Sequence, residues 1–153
     1  MSLELWSKNG WLRPHRTTQV QIAELFAIVK RDLDDARTER LSTDWQFGIA
    51  YNAALKLCTI LLYAEGYRPE KNLAHYRTLQ ALPLILGATR QADADYLETC
   101  RNKRNIAEYD SAGHISHEEA RELVAFATEL RADVETWLNA KHPALAPEAP
   151  TQN

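Results

Sequence analysis

Residues 45–64 form a run that is apolar on nearly every side of a helix. The run reads WQFGIAYNAALKLCTILLYA, and Phe47, Leu55 and Ile60 are spread around its helical circumference. A helix without a broad polar face is stable in water only where other elements cover it, as in the centre of a bundle. Because Lys56 interrupts the apolar residues, we interpret the run as a core helix and expect no membrane span.

Four further segments have the helical spacing of apolar residues that could surround this central helix. They are residues 18–40, 74–86, 91–109 and the stretch from Ser116 to about Leu138. Capping boxes, in which a Ser or Thr precedes a Gln or Glu by three residues, mark three helix starts. The predicted boxes are Thr18–Gln21, Thr43–Gln46 and Ser116–Glu119. Pro83 is expected to bend or end the third helix.

These segments predict an all-α protein, an antiparallel bundle of four main helices plus one short helix, without a convincing strand. The chain of 153 residues is long enough for one domain with a real core. We assign residues 17–141 to that domain. Residues 1–16 are expected to form an irregular arm whose two tryptophans pack on the body. Residues 142–153 are rich in Pro and Ala and are expected to be a disordered tail.

Composition limits the classes of function. The net charge of −3 argues against a protein that binds nucleic acid with its whole surface, although it allows a local basic site. Cys58 and Cys100 belong to no CxxC pair and are expected to be buried, reduced thiols. No signal peptide is visible at the N-terminus, which favours a cytoplasmic protein.

No metal site and no cofactor are predicted. His114 and His117 lie beside Glu118 and Glu119, but the sequence fixes no third ligand for a metal. Neither a Gly-rich phosphate loop nor a nucleophile elbow is present in the sequence.

The segment CRNKRNIAEYD, residues 100–110, places two Arg-Asn pairs inside a predicted helix. Asn is a poor helix former, so the pairs need an explanation. Spacings of three and four residues from Leu97 lead to Arg104, which puts this arginine at the edge of the buried stripe. Arg101, Asn105 and Glu108 then lie on one flank of the helix. The simplest alternative is a solvated helix face with Arg101–Asn105 and Arg104–Glu108 pairs.

This segment resembles the signature of HEPN (higher eukaryotes and prokaryotes nucleotide-binding) domains. The resemblance extends over roughly residues 17–140 and includes AYNAALKL (50–57), GYRPEKNLAHYRTLQAL (66–82) and RNKRNIAEYD (101–110). It implies a bundle of four or five helices that is commonly a homodimer. It also implies a relation to metal-independent endoribonucleases, whose motif is an Arg, often followed by a polar residue, with four to six residues between the Arg and a His.

Carried onto this chain, the motif matches Arg104 and Asn105, but the four-residue spacing then reaches Tyr109 where the family has its histidine. That histidine takes the proton of the ribose 2′-hydroxyl, while the arginine stabilises charge on the phosphorane. A tyrosine with a pKa of about 10 is a poor base at neutral pH. The resemblance therefore implies binding through Arg104 and Asn105 and a divergent catalytic position at Tyr109.

His75 and Arg77 stand near the start of the third helix, and we expect them to line the same cleft as Arg101 and Arg104. The spacing from Arg68 to His75 also fits the motif but crosses a loop, so we discount it. His75 is a candidate substitute base, as is His114. The alternative for His75 is a helix-start histidine bonded to a nearby carbonyl.

Two functions remain open from the sequence. In the first, the chain binds RNA or a nucleotide through Arg101, Arg104, Asn105 and Glu108, and is a divergent endoribonuclease. In the second, it is a non-catalytic helical bundle for dimerisation or partner binding in a toxin–antitoxin or stress system. The resemblance suggests a nucleotidyltransferase-like protein as the partner in that setting.

Overall fold

The computed structural model describes residues 1–109 and 112–148, with Tyr109 described by its backbone alone. The helices are α1 (Leu3–Lys8), α2 (Gln19–Ala36), α3 (Thr43–Ala64), α4 (Ala74–Gln80), α5 (Leu82–Leu86), α6 (Gln91–Tyr109) and α7 (His117–Lys141). Two 3-10 turns, Ala88–Arg90 and Pro143–Leu145, and two short strands, β1 (Leu12–Pro14) and β2 (Tyr67–Pro69), complete the described part. The predicted all-α bundle is confirmed, with α2, α3, α6 and α7 as its main helices.

Helix α3 is the centre of the bundle. It packs against α2, α6 and α7, and Phe47, Leu57 and Ile60 on it are at most 1% exposed. Burying each such side chain stabilises the fold by about 1.5–3 kcal/mol. By length and composition α3 could cross a membrane, but 67% of its most apolar window is buried inside the bundle. Its hydrophobicity is that of a core helix and fits a soluble protein.

Two of the predicted helix starts occur where the capping residues indicate. The Thr18 hydroxyl accepts a hydrogen bond from the Gln21 backbone N–H at 3.1 Å, which starts α2. Ser116 and Glu119 form the full reciprocal box at the start of α7. Helix α2 ends at Ala36, earlier than predicted.

The predicted capping box at Thr43 and Gln46 is wrong by one residue. Ser42 is the cap, and its hydroxyl accepts from the Trp45 backbone N–H at 3.2 Å. The Gln46 side chain instead donates to the carbonyl of Thr38 in the preceding loop, at 2.8 Å. Ser42 and Thr43 both carry a hydroxyl that could cap the helix, and Ser42 is the one that does. The Gln46 side chain is already hydrogen-bonded outside the helix.

The N-terminal segment is more regular than predicted. It contains α1 and β1, and β1 pairs antiparallel with β2 so that Leu12 lies opposite Pro69. Trp6 and Leu12 are buried in a small second cluster with Leu62 and Ala81, so Trp6 packs on the body as expected. The prediction of an irregular arm and of no strand is wrong, because three-residue strands are too short to show alternation in the sequence.

The predicted break near Pro83 is confirmed. Helix α4 ends at Gln80, and α5 begins at Leu82 with Pro83 in its first turn. Proline is tolerated there because the first helical N–H groups have no partner within the helix.

The C-terminal segment is ordered as far as the structure describes it. Leu145 and Ala146 pack against the core, and the Ala146 carbonyl accepts a hydrogen bond from the Gln19 side chain at 2.7 Å. The prediction of a disordered tail is therefore wrong for residues 142–148, because these two apolar side chains pack against the core beside α2. Residues 149–153 lie outside the described residues.

Both cysteines are free and buried, as predicted. Burial raises the pKa of the Cys58 thiol to about 12 and that of Cys100 to about 11. Thiols with such pKa values carry almost no thiolate at neutral pH, so neither is a reactive nucleophile.

Candidate functional site

Arg104 lies where α6 crosses α3, opposite a glycine. A Cβ atom placed on Gly48 would lie 3.8 Å from Arg104 Cγ and 3.7 Å from Glu108 Oε1. Gly48 on α3 therefore lies directly beside the arginine stem, at ordinary van der Waals distance for a Cβ atom. The Arg104 side chain is 26% exposed, which confirms its predicted place at the edge of the core.

The Arg104 guanidinium is held from two sides. Its Cζ atom lies 5.5 Å from the centroid of the Tyr51 ring, a cation–π distance. Its Nε lies 3.3 Å from Glu108 Oε1, which is the predicted ion pair. That contact is too poorly aligned for a hydrogen bond, and Nε has no hydrogen-bond partner among the described residues. Arg104 is thus oriented. Its Nε is buried, so a ligand from solvent would meet the terminal N–H groups of the guanidinium.

Tyr51 lies on α3 beside Arg104. Its side chain is 1% exposed, and its hydroxyl makes no hydrogen bond among the described residues. Burial raises the pKa of Tyr51, although the positive charges of Arg101 and Arg104 oppose that shift. The phenol therefore stays protonated at neutral pH. A buried hydroxyl without an acceptor is uncommon and costs about 1–3 kcal/mol.

Arg101 is fixed by a carboxylate one turn earlier on α6. Its Nε and Nη2 donate to the two carboxylate oxygens of Glu98 at 3.0 and 2.5 Å. The predicted Arg101–Asn105 hydrogen bond is therefore wrong, because Glu98 offers two charged acceptors and Asn105 only one neutral oxygen. The Arg101 side chain is 26% exposed, so the fixed guanidinium can still be reached from solvent.

The remaining residues of the motif have different surroundings. Asn105 is partly buried and makes no side-chain hydrogen bond within the described residues, which leaves its amide free. Tyr109 is the last residue of α6. Its side chain lies outside what the structure describes, so its role stays a prediction. Lys103 lies away from the motif, where it pairs with Glu119 of α7.

His75 on α4 is subject to the positive charges of both motif arginines. Helix α4 packs against α3 and α6. Burial lowers the pKa of His75, and the positive charges of Arg104 and Arg101 lower it further. The imidazole is consequently neutral at pH 7 and within electrostatic range of both guanidiniums. The alternative of a carbonyl-bonded histidine finds no support, since His75 makes no hydrogen bond among the described residues. The residue two positions earlier, Leu73, has a left-handed φ of +56°, a strained conformation that often occurs at functional sites.

We expect an NMR titration of the His75 imidazole to give a pKa below the ordinary 6.5. Arg104→Ala should raise that pKa because a nearby positive charge is removed. Lys103→Ala, a change of equal charge on the same helix, should leave it unchanged. A His75 pKa that does not respond to Arg104→Ala would show that the two residues do not share a site.

The lowered pKa of His75 also links folding to pH. The unfolded chain takes up a proton near pH 6.5, at a higher pH than the folded protein does. The His75 contribution to stability is therefore complete above about pH 6.5 and is lost as the pH falls towards the folded-state pKa.

Arg77 does not join the motif arginines. Its guanidinium stacks on Trp11, with Cζ 3.8 Å from the ring centroid, and lies 5.9 Å from the centroid of Trp6. Residues two positions apart on a helix point in nearly opposite directions, so His75 and Arg77 face different sides of α4. Arg77 belongs to the surroundings of the N-terminal tryptophans, and the common cleft of His75 with Arg101 and Arg104 stays a prediction.

We call the group formed by Tyr51, His75, Arg101, Arg104 and Asn105 the arginine cluster. Sequence reasoning did not identify Tyr51, because one aromatic residue in an apolar helix looks like any other core residue. Gly48 is a signal that could have helped, since an isolated glycine inside a helix commonly marks a close approach.

His114 and His117, the HxxH pair noted in the sequence, belong to no metal-binding group among the described residues. There, no group of three or more His, Cys, Asp or Glu side chains could hold a metal ion. His117 is instead bonded to Thr43, with Nδ1 3.0 Å from Oγ1, which ties the start of α7 to the start of α3.

Comparison of the chain with protein-family models, with curated proteins and with solved structures finds no match. The chemistry of the arginine cluster is therefore the basis on which a function can be assigned.

Proposed function

We propose that this chain is a HEPN-like protein that binds RNA or a nucleotide through the arginine cluster. The observation that carries the proposal is the state of Arg104. Its guanidinium is positioned by Tyr51 and Glu108, yet it donates no hydrogen bond to either of them. An arginine held in place with free donors is suited to a phosphate that arrives from solvent.

The neighbours of Arg104 supply complementary groups. Arg101 adds a second fixed positive charge, and two guanidiniums can hold phosphate oxygens in bidentate fashion. Asn105 has a free amide that can bond a ribose hydroxyl or a base edge. His75 is uncharged, so it can accept a hydrogen bond from a ribose hydroxyl. These groups fit the sugar–phosphate unit of a nucleotide better than they fit a simple anion.

We propose further that the wild-type protein binds RNA without cleaving it efficiently. Cleavage needs a base at the ribose 2′-hydroxyl, and the motif position for that base carries Tyr109. His75 is the described residue best prepared to substitute for it, because it is already neutral at pH 7. Its place on α4, rather than at the end of α6, assigns it to ligand binding in this proposal.

Salt dependence tests whether phosphate is the group that is recognised. Two arginine–phosphate contacts on a single strand give a slope of about −1.4 in log affinity against log salt. Affinity for a fluorescent single-stranded RNA should then fall roughly sevenfold between 50 and 200 mM salt. Fluorescence anisotropy over that range measures the slope. An affinity that does not change with salt would contradict recognition through phosphate.

A second function, non-catalytic dimerisation or partner binding, is favoured by exposed apolar side chains on the helices of the cluster. Trp45 on α3 is 60% exposed, and Ile106 on α6 is 47% exposed. Such residues are typical anchors of protein interfaces. In this proposal the chain is a homodimer or binds a nucleotidyltransferase-like protein in the cytoplasm, as in a toxin–antitoxin system.

Size-exclusion chromatography with light scattering separates the two functions. If the second is correct, the protein is a dimer that Arg104→Ala dissociates, and RNA binding is undetectable at low salt. If the first is correct, Arg104→Ala removes RNA binding and leaves the oligomeric state unchanged.

A further inference from the structure

A cavity of about 420 Å³ lies between the N-terminal segment, α4, α5 and the start of α6. Its lining includes Trp6, Trp11, Tyr76 and Arg77. We call it the tryptophan pocket. Its volume is in the range of small-molecule sites, and its lining combines aromatic rings with one charged group, as such sites commonly do.

Trp6, Trp11 and the Arg77 guanidinium of the tryptophan pocket contact one another. Arg77 lies over Trp11, with Cζ 3.8 Å from the ring centroid. Trp6 meets Trp11 edge to face at a centroid distance of 6.0 Å. Tyr76, at 39% exposure, leaves a large part of its surface open. Planar surfaces of this kind bind other planar groups by stacking.

Two buried donors of the pocket have no acceptor. Trp6 is 7% exposed, and its Nε1 makes no hydrogen bond among the described residues. The Nε of Arg77 is also buried and unpaired. Buried N–H groups without partners are rare in proteins, and here two of them belong to residues that line one cavity.

Two glutamines of the pocket offer a donor next to an acceptor. Gln91 Nε2 donates to Gln80 Oε1 at 3.1 Å and to Asp95 Oδ1 at 3.0 Å. These bonds leave the amide N–H₂ of Gln80 and the carbonyl oxygen of Gln91 without a partner among the described residues. A neighbouring donor and acceptor can pair with the edge of a nucleobase.

We propose that the tryptophan pocket binds a nucleobase. The base stacks on the aromatic rings, and its edge bonds the glutamine amides. The evidence for this site is independent of the arginine cluster. The base belongs either to a free nucleoside or to an RNA strand that also reaches the cluster. Gln91 and Arg101 are separated by about 15 Å along α6.

The test uses adenosine and guanosine, which carry no phosphate, and records the indole N–H signals of the four tryptophans by ¹H–¹⁵N NMR. We expect millimolar nucleoside to shift the signals of Trp6 and Trp11 and to leave those of Trp45 and Trp137 in place. Trp11→Leu should weaken binding about tenfold, the effect of losing one base–aromatic stack. No shift at Trp6 and Trp11, or equal shifts at all four tryptophans, would overturn the proposal.

Three further variants keep the result interpretable. Trp6→Phe keeps an aromatic ring and removes only a buried donor, so nucleoside binding and thermal unfolding should both stay near those of the wild type. If Trp11→Leu unfolds the protein, Tyr76→Leu at an exposed position replaces it and should also weaken binding. Arg104→Ala should leave nucleoside binding unchanged, which separates failure of this site from failure of the arginine cluster.

A short single-stranded RNA distinguishes the two sources of the base. If RNA shifts the same Trp6 signal and Trp11→Leu weakens RNA binding about tenfold, the base comes from the strand. If only free nucleosides shift Trp6, the pocket is a nucleoside site.

Discussion

Arg104→Ala should reduce the affinity for single-stranded RNA by about 10- to 100-fold at low salt. Hydrogen bonds to charged groups contribute roughly 1.5–3 kcal/mol each, and the guanidinium is the central donor of the cluster. The fold should survive, because Arg104 lies at the core edge and forms only an imperfect ion pair with Glu108. Anisotropy titration gives the affinity, and circular dichroism with thermal unfolding checks the fold.

Lys103→Ala is the matched control for this loss. It removes the same charge from the same helix but from the side that pairs with α7. Its effect on RNA affinity should be no more than a fewfold loss. Equal losses in the two variants would mean that the protein attracts RNA by general charge and has no specific arginine site. Arg104→Lys adds a finer comparison, since it keeps the charge, loses the planar fork and should bind with intermediate affinity.

Tyr109→His should create metal-independent RNA cleavage. An imidazole titrates near neutral pH, so it can take a proton that tyrosine cannot, and general-base catalysis typically contributes 10²- to 10⁴-fold in rate. We therefore expect the cleavage rate to rise by about 100-fold or more over the wild-type chain. Gel analysis of labelled RNA incubated with excess chelator measures the rate.

Two variants control for contamination and for loss of the tyrosine itself. Tyr109→Phe should remain inactive, because it removes the hydroxyl without adding a base. The double variant with Arg104→Ala should lose the new activity, since Arg104 is expected to hold the phosphate that is attacked. Cleavage that persists in the double variant would come from another nuclease. No cleavage by Tyr109→His would count against the relation to HEPN endoribonucleases.

The long elements of the fold could be predicted from the sequence because many residues repeat the same signal. Helix α3 is apolar around its whole circumference, and α6 ends at Tyr109 as its periodicity predicts. The short elements could not be predicted in this way. Strand β1 has three residues and depends on β2, which is more than fifty residues away along the chain. No local pattern reports a pairing over that distance.

Within the site, residue spacing along α6 was sufficient to predict the position of Arg104. The contacts between α6 and other helices could not be predicted from spacing. Periodicity placed Arg104 at the core edge, where the structure has it. Arg101 bonds Glu98 and does not bond Asn105. Both residues are close enough along the helix, so side-chain geometry decides between them. Tyr51 contributes through its contact with α6, and that contact exists only in the packed bundle.

The most direct test of the arginine cluster is the pKa of His75 with and without RNA. Bound phosphate brings negative charge beside the two arginines, which now lower that pKa. NMR titration of the imidazole should therefore show the His75 pKa rising when RNA binds, while Arg104→Ala, which cannot hold the phosphate, shows no such rise. RNA that binds and leaves the His75 pKa unchanged would contradict the proposed site.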